Sequence, residues 1–149
     1  MRGVMGSARR IVVAVAALVM AFGCITKEST LMTSVDMWHW KSAESISYIN
    51  EDTLSLRHLN IALRYNKNFA QAKLPLKVTV TAPDARSYSE AVELSLHHPY
   101  TAMITATTES LPYRRDVVFQ QKGEYIISFE PLAEVSGVQA VGIEFIDKE

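Results

Sequence analysis

Large apolar side chains occupy every second position along much of this chain. Because successive side chains of a β-strand point to opposite faces, this spacing predicts strands with one buried face. After the N-terminal leader, no stretch shows helical periodicity over more than two turns, so the parallel topologies that need crossover helices are disfavoured. The sequence predicts an all-β fold, an antiparallel β-sandwich of six to eight strands with jelly-roll or immunoglobulin-like topology. The alternating segments are residues 59–65, 74–81, 88–96, 125–129 and 141–145, with a weaker one at 45–49.

Proline and glycine mark the turns between these segments. Pro83-Asp84 ends one alternating segment. Gln121-Lys122-Gly123 separates two apolar segments, at 117–119 and 125–127. This spacing predicts a hairpin with Gly123 at positive φ. Gly142 lies inside the last alternating segment, where the missing side chain indicates local crowding.

The first 23 residues have the pattern of an export signal. Three arginines precede an uninterrupted apolar run at residues 11–22. A run of this length is typical of a signal-peptide core and is shorter than the roughly 20 residues that span a bilayer. We therefore predict a signal helix at 1–23, before the folded domain. The alternatives are an uncleaved anchor helix, ordinary cleavage near Gly23, or export by the twin-arginine route.

Cys24 is the only cysteine in the chain and directly follows Ala21-Phe22-Gly23. Small residues at 21 and 23 before a cysteine are typical of a bacterial lipobox, in which the thiol is lipidated and the chain is cut before it. Several acyl chains on one residue give stable anchoring, since each buried methylene contributes about 0.8 kcal/mol. Cys24 is therefore the predicted lipid acceptor. The exported domain then has no disulfide, thiolate nucleophile or cysteine-based metal site.

Cleavage before Cys24 would leave 126 of the 149 residues. Residues 24–34 have few apolar anchors, which predicts a tether, and residues 35–149 form the predicted sandwich domain. Removal of the three leader arginines leaves 12 basic side chains against 16 acidic ones, a net charge of −4. Such a domain lacks the basic surface that neutralises phosphates, so nucleic acid is not expected as a partner.

Four aromatic residues are candidates for a binding surface. Trp38 and Trp40 flank His39, and an extended segment would place both indoles on one face. An exposed pair of this kind, together with Tyr100 and Tyr113, would stack on a sugar or on a partner protein. The alternative, which the sequence favours, is that at least one tryptophan closes the edge of the sandwich. Asp36, just before them, is interpreted as a turn residue.

His97-His98 is the most conspicuous pair of potential metal ligands. Adjacent residues of a strand point to opposite faces, so a solvated loop pair is the favoured interpretation and no metal site is predicted. No nucleophile elbow and no glycine-rich phosphate loop occurs in the sequence. We therefore expect a protein that is not an enzyme and that has no cofactor.

The chain resembles the GldH-type gliding-motility lipoproteins of Bacteroidetes. The resemblance follows the lipobox and is spread over most of the predicted domain. Ala85 stands where the family has a turn glycine. The similar stretches are Trp38-His39 with Lys41-Ser42, Asp52-Thr53-Leu54, residues 59–66, Leu76 through Pro83-Asp84, Gly123-Glu124-Tyr125, and Gly137-Val138 through Ile143.

This resemblance implies a β-sandwich lipoprotein of the cell envelope, associated with gliding and with the secretion of surface proteins. The family supplies no catalytic residues, so the resemblance implies an accessory or structural component that acts through protein contacts. Ile25 follows the cysteine in place of the aspartate used for inner-membrane retention, which favours the outer membrane. The alternative function is a lipid-anchored carbohydrate-binding module.

Replacement of Cys24 tests the predicted anchor. We expect radiolabelled palmitate to enter the wild-type protein and to be absent from Cys24→Ser, because serine lacks the thiol that accepts the lipid. Thr26→Ser, two residues away, is the matched control and keeps the label. Equal labelling of the wild type and of Cys24→Ser would contradict lipidation at this residue.

Overall fold

A computed structural model describes residues 28–99 and 105–148 of the chain. The regular structure of these residues consists entirely of β-strands. No helix among them is long and apolar enough to cross a membrane. The predicted signal helix at 1–23 and the predicted lipid acceptor Cys24 lie outside the described residues. The strands are β1 (Glu28–Ser34), β2 (Glu44–Asn50), β3 (Arg57–Tyr65), β4 (Lys73–Thr81), β5 (Ser87–Ser95), β6 (Thr107–Val117), β7 (Gly123–Pro131) and β8 (Val138–Asp147).

The strands form two four-stranded antiparallel sheets, in the orders β1-β8-β3-β6 and β2-β7-β4-β5. The chain folds back on itself about the β4–β5 turn, so that β3 pairs with β6, β2 with β7 and β1 with β8. Eight strands wound in this way form a jelly roll. The predicted antiparallel sandwich is confirmed, and its topology is the jelly roll rather than the immunoglobulin-like alternative.

The core fills the space between the two sheets, as the alternating pattern predicts. Ile61 and Leu63 of β3 and Ile143 of β8 are fully buried in one sheet. Leu76 and Val78 of β4 face them from the other sheet and are equally buried. Burial of alternate side chains from both sheets supplies the main hydrophobic stabilisation of the sandwich.

The N-terminal end of the described chain is part of the sandwich, so the predicted tether at 24–34 is wrong for residues 28–34. These residues form β1, which pairs with β8 from Glu28 opposite Ile146 to Ser34 opposite Ala140. An edge strand with one partly covered face needs few large apolar residues. Only the middle of β1 is half-buried, and for this reason the alternating pattern does not reveal it.

The predicted hairpin around Gly123 is also wrong. β6 pairs only with β3, whereas β7 pairs with β2 and β4 in the other sheet. Residues 118–122 therefore cross from one sheet to the other, and the buried ring of Phe119 packs between them. The Asn50 amide holds this crossing segment by donating to the carbonyl oxygens of Phe119 and Gln121, at 3.1 and 2.9 Å. Gly123 does adopt the predicted positive φ, at 124°.

The Pro83-Asp84 turn connects β4 to β5, as predicted. Ala85 has a φ of 69° there, a left-handed conformation that normally favours glycine. The Asp84 carboxylate accepts from the Arg86 backbone N–H at 3.1 Å, which supports the turn. Ala85 therefore adopts a backbone conformation that is more usual for glycine.

Gly142 allows β1 to lie against β8. A Cβ at this position would lie 1.8 Å from the carbonyl oxygen of Leu31, so a side chain requires the backbone to move. We expect Gly142→Ala to lower the free energy of unfolding by about 1–3 kcal/mol or more, as overpacking does. Urea unfolding followed by circular dichroism measures this change.

Ser89→Thr is the matched control, because it adds one methyl group on the solvent face of the edge strand β5 and should change stability by less than about 0.5 kcal/mol. A Gly142→Ala protein as stable as the control would show that β1 is not packed closely on β8.

Candidate functional site

A cavity of about 430 Å³ lies between the two sheets, where the edge strands β5 and β6 face each other. Its volume is within the range of sites that hold a small ligand or a large side chain. The lining is mainly apolar, although six of its residues carry polar side-chain groups. The lining residues are Leu59, Val80, Ala82, Arg86, Ser87, Tyr88, Tyr113, Arg114, Val117, Phe119, Gln121, Ile127 and Ile143.

The cavity exists because the two edge strands bring few large side chains into the core. Within β5, only Leu94 is buried, and within β6 only Leu111. Ala82, directly after β4, brings only a small side chain to the cavity, and the Tyr88 ring remains largely exposed. The buried side chains of Phe119 and its neighbours therefore form the apolar floor of the cavity, which is open at the edge of the sandwich.

A polar clasp joins the two sheets beside the cavity. The Tyr113 hydroxyl of β6 donates to Glu90 Oε1 of β5 at 2.5 Å, and the Arg114 guanidinium pairs with the other oxygen of Glu90. The hydrogen bond from Tyr113 and the charge of Arg114 lower the pKa of the Glu90 carboxyl below its ordinary value of 4.5. Burial and the bond to Glu90 raise the pKa of Tyr113. At neutral pH the clasp therefore contains a carboxylate and a neutral phenol.

The β4–β5 turn supplies the polar rim at the other side of the opening. The Asp84 carboxylate lies 3.4 Å from Arg86 Nε and accepts from Gln121 Nε2 at 3.0 Å. The backbone N–H of Arg86 and the Gln121 amide lower the pKa of Asp84. The rim residues are thus already hydrogen-bonded to one another, and their charges are balanced at the entrance.

The lining of this cavity suits the binding of an apolar group. The lining contains neither histidine nor a carboxylate, and the nearby Glu90 and Asp84 are both engaged in hydrogen bonds. Among residues 28–99 and 105–148, no three His, Cys, Asp or Glu side chains are grouped so that they could hold a metal ion. An apolar cavity with a polar rim is what the buried anchor of a partner or ligand needs.

The aromatic residues predicted to form a binding surface lie in different environments in the structure. Trp40 is 1% exposed, donates its indole N–H to the Ser42 carbonyl and pairs through its backbone with Val135. It closes the edge of the core, as the favoured interpretation predicts, and cannot belong to a surface platform. Trp38 is 57% exposed in the β1–β2 connection. Tyr113 lines the cavity, and Tyr100 lies outside the described residues.

The adjacent residues His97 and His98 contact different neighbours. His97 Nδ1 lies 3.0 Å from Glu109 Oε1. The ring of His98 stacks on Phe69, with centroids 5.6 Å apart, and lies edge-on to Tyr65. The pair is therefore drawn to two different sets of neighbours and does not converge. Asp36 serves as the predicted turn residue, because its carboxylate accepts from the backbone N–H groups of Trp38 and His39.

Sequence reasoning missed a buried charged group near the cavity. Arg57 is 8% exposed, and its Nε donates to Asp147 Oδ1 at 3.0 Å. Its Nη1 donates to Asn50 Oδ1 at 3.2 Å and to the Tyr48 hydroxyl. These partners come from β2 and β8, and Asp147 of β8 is distant in the chain, so no local spacing indicates the cluster. The one sequence signal for a buried charge was an arginine at the start of an apolar strand.

The fold and the site define a jelly-roll domain with an apolar cavity at the open edge of its sandwich. The sequence model of the GldH lipoprotein family matches residues 27–145, which is most of the chain. The chain therefore belongs to the GldH lipoprotein family, and this places it among lipoproteins of the gliding-motility type associated with the cell envelope. A comparison with curated proteins finds no match.

The solved structures that match this chain have low sequence identity to it. A mitogen from Yersinia pseudotuberculosis is 11% identical, with a TM-score of 0.39 over 84% of this chain and 92% of the mitogen. A structure of infectious bursal disease virus, Gx strain, is 10% identical, with a TM-score of 0.38 over 83% of this chain and 32% of the viral chain. Latent PorU from Porphyromonas gingivalis is 11% identical, with a TM-score of 0.30 over 83% of this chain and 13% of PorU.

The clasp beside the cavity should make stability depend on pH. The pKa of Glu90 is lower in the folded protein than its ordinary value of 4.5, so its contribution is complete above that pH. The contribution is lost as the pH falls through the folded-state pKa. We expect Glu90→Gln to lower the free energy of unfolding by about 1 kcal/mol at pH 7 and the difference from wild type to shrink at acidic pH.

Urea unfolding at a series of pH values measures this difference. Glu93→Gln is the matched control: Glu93 lies on the same strand, in an exposed ion pair with Lys73, and is expected to contribute less than about 0.5 kcal/mol. A Glu90→Gln effect that is the same at neutral and acidic pH would show that the charged clasp does not stabilise the fold.

Proposed function

We propose that this protein is a lipid-anchored, non-enzymatic component of the cell envelope that binds other envelope proteins through the cavity between β5 and β6. The observation that supports this most directly is the cavity itself, with an apolar floor and a hydrogen-bonded polar rim. Protein interfaces gain most of their affinity from a few apolar or aromatic anchors that enter such pockets. A side chain from a partner would gain its affinity by leaving water for this floor.

The anchor in this proposal is Cys24, with the lipid placed in the outer membrane. Membership of the GldH lipoprotein family supports a lipid anchor. The lone cysteine after an apolar leader supplies the acceptor, and Ile25 after it favours the outer membrane over the inner one. The partners are proteins of the envelope machinery associated with gliding and with surface-protein secretion.

Two features favour protein contacts over glycan binding. A sugar platform needs several exposed aromatic faces close together. Trp40 is buried, so of the two tryptophans only Trp38, in the β1–β2 connection, presents an exposed ring. The cavity is lined mainly by aliphatic and aromatic groups, which match an apolar side chain better than the many hydroxyl groups of a sugar.

Filling the cavity tests this proposal. Ala82→Phe places a ring in the cavity and should reduce the recovery of partner proteins when the lipoprotein is purified from detergent-solubilised membranes. Ala91→Phe is the matched control, because it adds the same ring to the exposed face of β5, where Ala91 points away from the core. We expect the control to recover the partners seen with the wild type.

Quantitative mass spectrometry of the three purifications measures the difference, and thermal unfolding confirms that both variants fold. Equal partner recovery from Ala82→Phe and the wild type would contradict the cavity as the contact site. Recovery of no partner by the folded wild-type protein would contradict the function through protein contacts.

A further inference from the structure

The strand register determines which end of the sandwich lies next to the proposed anchor. Glu28 is opposite Ile146 of β8, and Ile146 is opposite His58 of β3. These three residues form one row across the sheet, with His58 about 10 Å from Glu28 at the usual strand spacing. Glu28 comes four residues after Cys24, so the chain between them can span at most about 14 Å. Lipid on Cys24 would therefore hold this end of the sandwich close to the bilayer.

The β2–β3 loop, residues 51–56, lies at the same end and is held in place by hydrogen bonds. Asp52 Oδ1 accepts from the backbone N–H groups of Leu54 and Ser55, at 2.9 and 3.1 Å. The Leu56 carbonyl accepts from the backbone N–H of Lys148, just after β8, at 3.0 Å. The Ser55 hydroxyl and these backbone donors lower the pKa of Asp52 to about 2, so the carboxylate that organises the loop stays charged. The loop therefore has a defined shape.

Leu54 projects from this loop with 88% of its surface exposed, the largest value among the exposed large hydrophobic side chains of the described residues. A single exposed leucine is common on protein surfaces and means little by itself. Here the hydrogen-bonded loop holds Leu54 in a defined position. Leu54 is four residues before His58, which lies in the same row of the sheet as Glu28. Its position beside the proposed anchor makes its exposure informative.

We propose that this end of the sandwich rests on the membrane and that the Leu54 side chain enters the interfacial region of the bilayer. The proposal rests on the Cys24 anchor proposed above. Moving an apolar side chain out of water is favourable, and a second contact beside a lipid anchor needs no separate association step. The contact would fix the orientation of the domain, with Trp38 and Leu132 at the far end, facing away from the bilayer.

An environment-sensitive fluorophore tests this orientation. Lipidation occupies the sulfur of the only native cysteine, so Leu54→Cys supplies the only free thiol of the full lipidated protein. The label is a nitrobenzoxadiazole group, and the protein is incorporated into vesicles of phosphatidylethanolamine and phosphatidylglycerol. Leu132→Cys is the matched control: Leu132 is 57% exposed in the β7–β8 connection, at the opposite end of the strands.

We expect the emission of the label at 54 to shift to shorter wavelength and to be quenched by nitroxide-bearing lipids. The label at 132 should keep its emission in water and be quenched by iodide in solution. Vesicle-bound protein in which both labels respond to iodide alike would overturn the orientation and leave the anchor intact. Protein that fails to co-sediment with the vesicles would instead contradict the Cys24 anchor, and the proposal would fall with it.

Discussion

The interactions of one buried arginine hold together one end of the sandwich. This end contains both the cavity and the β2–β3 loop. Among the residues that the structure describes, Arg57 is the one charged side chain in the core. Burial of a guanidinium is costly unless its donors are satisfied, and here Asp147, Asn50 and the Tyr48 hydroxyl accept from it. The charge also lies 5.8 Å from the centre of the Phe119 ring. Since these partners belong to both sheets and to the segment that crosses between them, the arginine links the two layers.

The positions of the cavity and of the β2–β3 loop both follow from this cluster. Asn50 accepts from Arg57 and donates to the backbone of residues 118–122, so it fixes the segment that carries Phe119 into the cavity floor. Asp147 ends β8 opposite Arg57, and this pairing keeps the β2–β3 loop in line with the start of β1. A protein contact at the cavity would thus lie at the same end as the lipid. A partner that is itself bound to the membrane could reach it without spanning the length of the sandwich.

The sequence predicted those features that depend on one segment at a time. Alternation identified the core strands, because burial of one face imposes a period of two wherever a strand covers the core. It did not reveal β1, since an edge strand needs little apolar surface, and the turn residues near Gly123 could not show that β6 and β7 belong to different sheets. The cavity and the Arg57 cluster were beyond prediction, because each is formed by residues from distant segments. The burial of Trp40 matched the favoured alternative, although the sequence alone could not say which tryptophan would enter the core.

With lipid on Cys24, the sandwich would start within four residues of the anchor and be held against the membrane. Neutron reflectometry of the lipidated protein on a supported bilayer measures this separation directly. We expect the protein layer to begin next to the lipid headgroups. Any water gap between them should be no wider than about 14 Å, the distance that four residues can span. A wider gap between the headgroups and the protein would contradict it.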